Sequence, residues 1–208
     1  DYGMRSNEII QKMIKLNKTK WQDMNIVNIW GNHEKLVIDK DLERLSSERG
    51  RVVAEYTAKQ LIPESVNYIQ TGMNRDGVQE FKIDELRCLA VHGSLEDHYW
   101  KAIEPENLRG EYSGYDMVFS GHSHYSHCFT YFYQIEAPKM RNKKAVTFVN
   151  PGSVGQPRNQ NPYAQYAVAY FPSRRIELRA IEYDVAYEQA LFPDEIDVFY
   201  KTRLTRGV

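Results

Sequence analysis

The sequence is short of several things, and each shortage removes a class of protein. Its only cysteines are Cys88 and Cys128, too few for the disulfide framework of a small secreted domain. It has no surplus of either charge: 27 Lys+Arg against 28 Asp+Glu leave a net charge of −1. That balance argues against a protein held on nucleic acid or an anionic membrane by bulk charge. Its apolar runs are strand-sized, far below the ~20 residues of a membrane span. No repeat, low-complexity tract or linker breaks the chain, and no secretory signal is visible, so the expected location is cytoplasmic. Hydrophobic residues make up 42% and aromatics 12%, which is enough for a sizeable core and too much for a disordered chain. At ~150 residues per domain, residues 1–208 are expected to form a single domain.

The apolar periodicity predicts an amphipathic helix over residues 6–16, with Ser6 or Asn7 as its N-cap. Asn25-Ile26-Val27-Asn28-Ile29-Trp30 reads as a short strand. Residues 39–71 read as helical, with Pro63 placed to start a second helix. Strands are expected at 78–83, 86–91, 116–120, 125–136 and 143–149, with a pair at 166–171 and 175–181 joined at Pro172-Ser173. Helices are expected near residues 99–103 and over 184–191, followed by a polar tail.

One pattern recurs. Four short apolar strands stop beside His or Asn: at Asn32/His33, His92, His122/His124 and Asn150. In open α/β sheets, ligands collect beyond the carboxyl ends of strands, so these residues are candidates for one rim. Neutral imidazole suits Zn, Fe, Ni and Mn-type transition metals. His122-Ser123-His124 alone is a weak signal of metal binding. His92 and Gly31-Asn32-His33, each after another strand, strengthen it.

Gly31-Asn32-His33-Glu34, Val91-His92-Gly93-Ser94 and Gly121-His122-Ser123-His124, in that order, resemble the calcineurin-like metallophosphoesterases. The segment Asn150-Pro151-Gly152-Ser153, continuing to Arg158, sharpens the resemblance to the small prokaryotic phosphodiesterase and diadenosine-tetraphosphatase-like branch. It runs from Asp1 to about Tyr187. The resemblance implies a four-layer α/β/β/α sandwich and two divalent transition metal ions, Mn²⁺ first, with Fe, Zn or Ni as alternatives. It places Asn32, His92 and His122 on the second metal and His124 on the first. Asn32 and His33 would contact the phosphate, with His33 as general acid for the leaving oxygen. Arg158 is a further candidate contact to the anion. Two such metals neutralise phosphate oxygens and activate a water for in-line attack.

The implied activity is hydrolysis of a small phosphodiester or nucleotide. The alternatives are a diadenosine-tetraphosphatase-like hydrolase and a non-catalytic scaffold on the same fold. No bulk nucleic acid or membrane is expected as a partner, and a homo-oligomer is compatible with the sequence. Two family motifs, an Asp-x-His and a Gly-Asp, are missing upstream. Asp1-Tyr2-Gly3 resembles the residues that come directly after the Gly-Asp motif in the family. The expectation is therefore a chain lacking its first β-α-β unit. On their own, these 208 residues are expected to hold metal weakly and to show little activity.

The remaining residues read more plainly. Glu34 stands where the family writes Asp, which leaves open whether that position still hydrogen-bonds His33. His98 and His127 read as ordinary surface or packing histidines. Cys88 and Cys128 read as buried small hydrophobes. Tyr125, Phe129, Tyr131, Phe132 and Tyr133 read as a hairpin packed on the sheet, and Arg141, Lys143 and Lys144 as a solvated turn.

Overall fold

The computed structural model describes residues 3–45, 47–108 and 110–208, so Asp1 and Tyr2 lie outside the described residues. Among the described residues, seven strands form two sheets. β1 (Val78–Ile83), β2 (Leu86–Val91), β3 (Met117–Ser120), β4 (His127–Gln134) and β5 (Lys143–Asn150) make a five-stranded sheet of order β1-β2-β3-β5-β4. β6 (Ala164–Tyr170) and β7 (Arg175–Ile181) form an antiparallel pair. The three central strands, β2, β3 and β5, run parallel, and an antiparallel strand flanks them on each side.

That arrangement follows from the side chains. The central strands are buried on both faces and read as continuous apolar runs. On one face Leu89, Val91, Val118, Val146 and Phe148 join Ile103 and Tyr112 in the main core. There Phe129 lies parallel to Phe148 at 4.9 Å, and Tyr112 meets Phe148 edge-on at 5.2 Å. On the other face Cys88, Met117 and Val149 pack with Ala167 and Ile176 of the two-stranded sheet. The result is a mixed α/β fold of two packed sheets with helices.

The helices are α1 (Ser6–Asn17), the single turn α2 (Asn32–Glu34), α3 (Glu48–Gln60), α4 (Pro63–Gly72), α5 (Val185–Ala190) and α6 (Val198–Thr202). α2 continues as a π-turn over Lys35–Asp39, and a 3₁₀ turn spans Leu42–Arg44. Pro63 opens α4, where its missing N–H costs nothing. Ser47 caps α3 by accepting from the Gly50 N–H. No helix among the described residues is long and apolar enough to cross a membrane.

Several local expectations are corrected. Residues 25–30 form no strand: Ile29 makes an isolated parallel bridge to Asn74, and strand pairing does not extend from it. Residues 99–103 are not helical. Asp97 Oδ1 accepts from the N–H groups of Tyr99 and Trp100 and holds them in a tight loop. The residue flanking α1 is Arg5, with no side-chain cap. The tail is not merely polar, because α6 and the residues around it bury Ile196, Tyr200 and Leu204 against Val53 of α3. Cys128 is exposed, since it points outward from the edge strand β4, whereas Cys88 is buried. The aromatic strand divides: Phe129 and Tyr133 pack on the core, while Tyr125, Tyr131 and Phe132 are exposed. Lys144 is not a free cation, because its ammonium lies 2.6 Å from Asp116.

Candidate metal and phosphate site

Parallel β2, β3 and β5 all end on the same rim. β2 delivers His92, β3 delivers the 121–124 turn, and β5 delivers Asn150. The backbone ties these ends together: Gly121 N–H donates to the His92 carbonyl at 3.0 Å, and His92 N–H donates to the Gly77 carbonyl at 2.9 Å. Asn32 and His33 reach the rim from α2, immediately after Trp30, which is buried.

Three side-chain heads converge there. His92 Nε2 is 2.9 Å from Asn32 Oδ1, and His122 Nδ1 is 3.3 Å from the same His92 Nε2. Donors on one ion at metal–donor lengths of about 2.0–2.2 Å stand about 3.0–3.4 Å apart, and both contacts of His92 Nε2 fall near that spacing. His124 turns differently. Its Nδ1 is 2.8 Å from the Gln156 carbonyl, so Nδ1 carries the proton and Nε2 keeps its lone pair. Both His122 and His124 have left-handed backbone, with φ of 61° and 63°. Such strain in non-glycine residues concentrates at functional sites.

Asn150 is not a rim ligand as the sequence pattern suggests. It is fully buried, and its amide ties the 121–123 turn to the 150–152 turn. Nδ2 donates to the Gly121 carbonyl at 2.8 Å and to Ser123 Oγ at 3.1 Å, while Oδ1 accepts from Gly152 N–H at 3.0 Å. It thereby fixes the turn that carries His122 and His124. The Asn-Pro-Gly run signals a side-chain-stabilised turn, but the sequence does not reveal that the turn locks a second loop. Gly31 is required by close approach: a Cβ there would lie 2.7 Å from His92 Cε1. Glu34 accepts the Gly31 N–H at 2.7 Å, so its longer arm caps its own turn.

Burial sets the protonation of the site. It pushes His33 and His92 down to about 3 and His124 to about 4, and it lowers His122 as well. The Arg158 guanidinium adds to this at His33, His122 and His124. At pH 7 all four imidazoles are neutral, the form in which they can bind a metal. This has a consequence for stability. An unfolded histidine takes a proton below about pH 6.5, and these folded ones do not until pH 3–4. Stability is therefore full above pH 6.5 and falls as the pH drops toward 4. The loss at pH 5 is at most roughly 2 kcal/mol per histidine. In metal-free protein the urea midpoint is expected to decline steadily from pH 6.5 to 5, and a flat midpoint would contradict this burial.

The donor set is rich in imidazole and poor in carboxylate. Among the described residues no group of three or more His, Cys, Asp or Glu is arranged to hold a metal ion, and the three-headed cluster exists because Asn32 supplies its oxygen. The residues fit one ion with nitrogen and amide-oxygen donors, but they do not by themselves complete a pair. Neither Asp-x-His nor Gly-Asp occurs in the 208 residues. A cavity of about 310 Å³ is lined by Asn32, His33, His92 and His124, whereas His98, bonded to the Asp76 carbonyl, stands apart.

Two packed α/β sheets with Asn and His at the ends of parallel strands define a metal-dependent phosphoesterase architecture. The calcineurin-like phosphoesterase superfamily domain matches residues 4–173, and the chain belongs to that family. The uncharacterised protein MJ0912 of Methanocaldococcus jannaschii is 24% identical over 201 residues, covering 90% of this chain and 75% of that protein. A metallophosphoesterase from Sphaerobacter thermophilus superposes with a TM-score of 0.70 at 24% identity, covering 100% of this chain and 85% of that one. The hypothetical protein PH1004 of Pyrococcus horikoshii OT3 gives 0.72 at 19% identity, covering 98% and 80%. These likenesses show the fold. The family as a whole hydrolyses phosphoesters and generally depends on two metal ions.

Proposed function

We propose that this protein hydrolyses small phosphodiesters or nucleotides. Asn32, His92 and His122 would hold one divalent transition metal and His124 would contribute to a second, with Mn²⁺ ahead of Fe, Zn and Ni. The observation that carries the reading is that His92 Nε2, on the rim of three parallel strands, lies against both Asn32 Oδ1 and His122 Nδ1. Bound metal would supply Lewis-acid charge for the phosphate oxygens and an activated water.

The chain's own residues do the rest. His33 lines the same cavity as Asn32 and His92 and would give its proton to the departing alkoxide. Burial holds it neutral at pH 7. An anionic phosphate beside it acts in the opposite direction, because an opposite charge within ~4–6 Å favours the protonated imidazole. The Arg158 guanidinium is close enough to depress His33, His122 and His124, which supports it as an anion contact. The near-neutral net charge supports a small substrate over bulk nucleic acid.

A second reading, a non-catalytic scaffold on the same fold, is favoured by the lack of a carboxylate among the candidate donors of the described residues. The protein expressed from its complete reading frame separates the two. With Mn²⁺ it is expected to hydrolyse bis-p-nitrophenyl phosphate faster than the p-nitrophenyl monoester. A preference for the monoester would remove the diesterase reading, and no metal-stimulated turnover of either ester would leave the scaffold.

A further inference from the structure

The loop after His92 brings an aromatic side chain back beside His122. Gly93 N–H donates to the His98 carbonyl at 2.7 Å, and Ser94 N–H donates to the Asp97 carbonyl at 3.0 Å. A Cβ on Gly93 would lie 2.5 Å from the Asp97 carbonyl, so the loop closes this tightly only because position 93 is glycine. Tyr99 donates its hydroxyl to the Arg75 carbonyl, and the Lys35 ammonium sits 4.9 Å from its ring. Trp100, the next residue, is thereby fixed. Its N–H is held by Asp97, and its carbonyl accepts from His122.

The backbone of Trp100 is thus committed to the site while its ring is only half-buried. The indole stands edge-on to His122, with ring centroids 6.5 Å apart and planes at 79°. The Arg44 guanidinium lies 6.0 Å from the indole centroid. Arg44 comes from the 3₁₀ turn that precedes α3, its side chain is 60% exposed, and its nearest carboxylate, Asp41, is a loose 3.9 Å away. A flat π surface therefore stands one ring's width from a candidate metal-donor histidine, with a planar cation 6.0 Å from its own centroid.

We propose that Trp100 and Arg44 form a stacking subsite for a planar ring on the alcohol part of the ester, so that aryl and nucleoside phosphates are preferred over alkyl ones. The inference rests on placing the phosphoryl group at the Asn32–His92–His122 donors. The half-buried indole of Trp100 stands beside those donors, edge-on to His122. Every nucleobase has a π-face, and aromatic side chains hold such faces with little regard to sequence. Arg44 contributes a cation that interacts with the same π system and with further negative charge on the ester. The subsite also gives the 3₁₀ turn before α3 a role in framing substrate.

The test is isothermal titration of the protein expressed from its complete reading frame, in Mn²⁺, with adenosine 5′-monophosphate and ribose 5-phosphate. The wild type is expected to bind the nucleotide about 5- to 100-fold more tightly than the sugar phosphate. Trp100→Ala is expected to bring the two within about twofold while leaving ribose 5-phosphate binding unchanged. Trp100→Phe should keep part of the preference, and Arg44→Ala should fall between. Circular dichroism and thermal midpoints confirm that the variants fold. A folded Trp100→Ala that keeps the wild-type preference would overturn the proposal, as would a wild type that binds the two ligands equally or binds neither. Turnover of bis-p-nitrophenyl phosphate judges hydrolysis separately. A hydrolase with no ring preference removes only the subsite, whereas a ring-selective protein without turnover removes only the hydrolase.

Discussion

His33→Ala is expected to lower turnover of a poor-leaving-group phosphodiester by about 10²–10⁴-fold, the usual contribution of a positioned general acid. The ring is fixed by α2, whose first turn is closed by Glu34 accepting the Gly31 N–H. It lies outside the three-headed donor cluster, so metal content should change little, while KM rises only as far as its contact with the phosphate contributes to binding. The defect should shrink for p-nitrophenolate, a leaving group that needs little protonation. An equal loss with good and poor leaving groups would remove His33 from the acid role.

The second large effect concerns His92. It is the middle head of the cluster, within 2.9 Å of Asn32 Oδ1 and 3.3 Å of His122 Nδ1. His92→Ala removes a donor, and it leaves Asn32 and His122 without the group that spaces them. Changes one layer out from a metal commonly cost 10–100-fold in affinity, so loss of the central donor should weaken Mn²⁺ binding by at least about 100-fold. Turnover should then be restored only in part by excess metal. The backbone of residue 92 still accepts from Gly121 and donates to Gly77, so the variant is expected to fold. Unchanged metal affinity, measured by competition with a fluorescent chelator, would contradict the assignment.

Both effects depend on residues that could be named from sequence, and the reason is local. Each motif sits where an apolar strand or turn stops at a small residue, a signal carried within four positions. The strands themselves were legible for the same reason: β1, β2 and β5 alternate or run apolar over six to eight residues. Order and direction were not legible. The parallel pairing of β2, β3 and β5 is a contact between distant segments, and it alone explains why His92, His122 and Asn150 share one rim. The strand expected at residues 25–30 failed because apolar content is not pairing: one bridge forms, Ile29 to Asn74, through the Asn28 carbonyl and the Trp30 N–H, and it does not extend. The helix expected around Trp100 stops at one turn: Asp97 accepts from the N–H groups of Tyr99 and Trp100 as an N-cap does, but residues 101–104 do not continue it.

Asn150 and Trp100 show the limit of motif reading. Asn150 has the residue type of a ligand and the position of one, yet all three of its hydrogen bonds hold backbone or Ser123. Trp100 belongs to no motif, and its place beside His122 comes from a loop closed by Gly93. Nor does residue type warn that His122 and His124 sit at positive φ. That strain is sustained by Asn150 below the turn and by the Gln156 carbonyl beside it.

The central claim is that these histidines and Asn32 work on phosphoesters through bound metal. It is tested most directly by stripping the protein expressed from its complete reading frame with a chelator and restoring Mn²⁺ stepwise. Hydrolysis of bis-p-nitrophenyl phosphate is predicted to disappear on stripping and to return with saturation as Mn²⁺ is added, in wild type and not in His92→Ala at the same metal concentration. Turnover indifferent to chelator, or equal metal response in the two proteins, would contradict it.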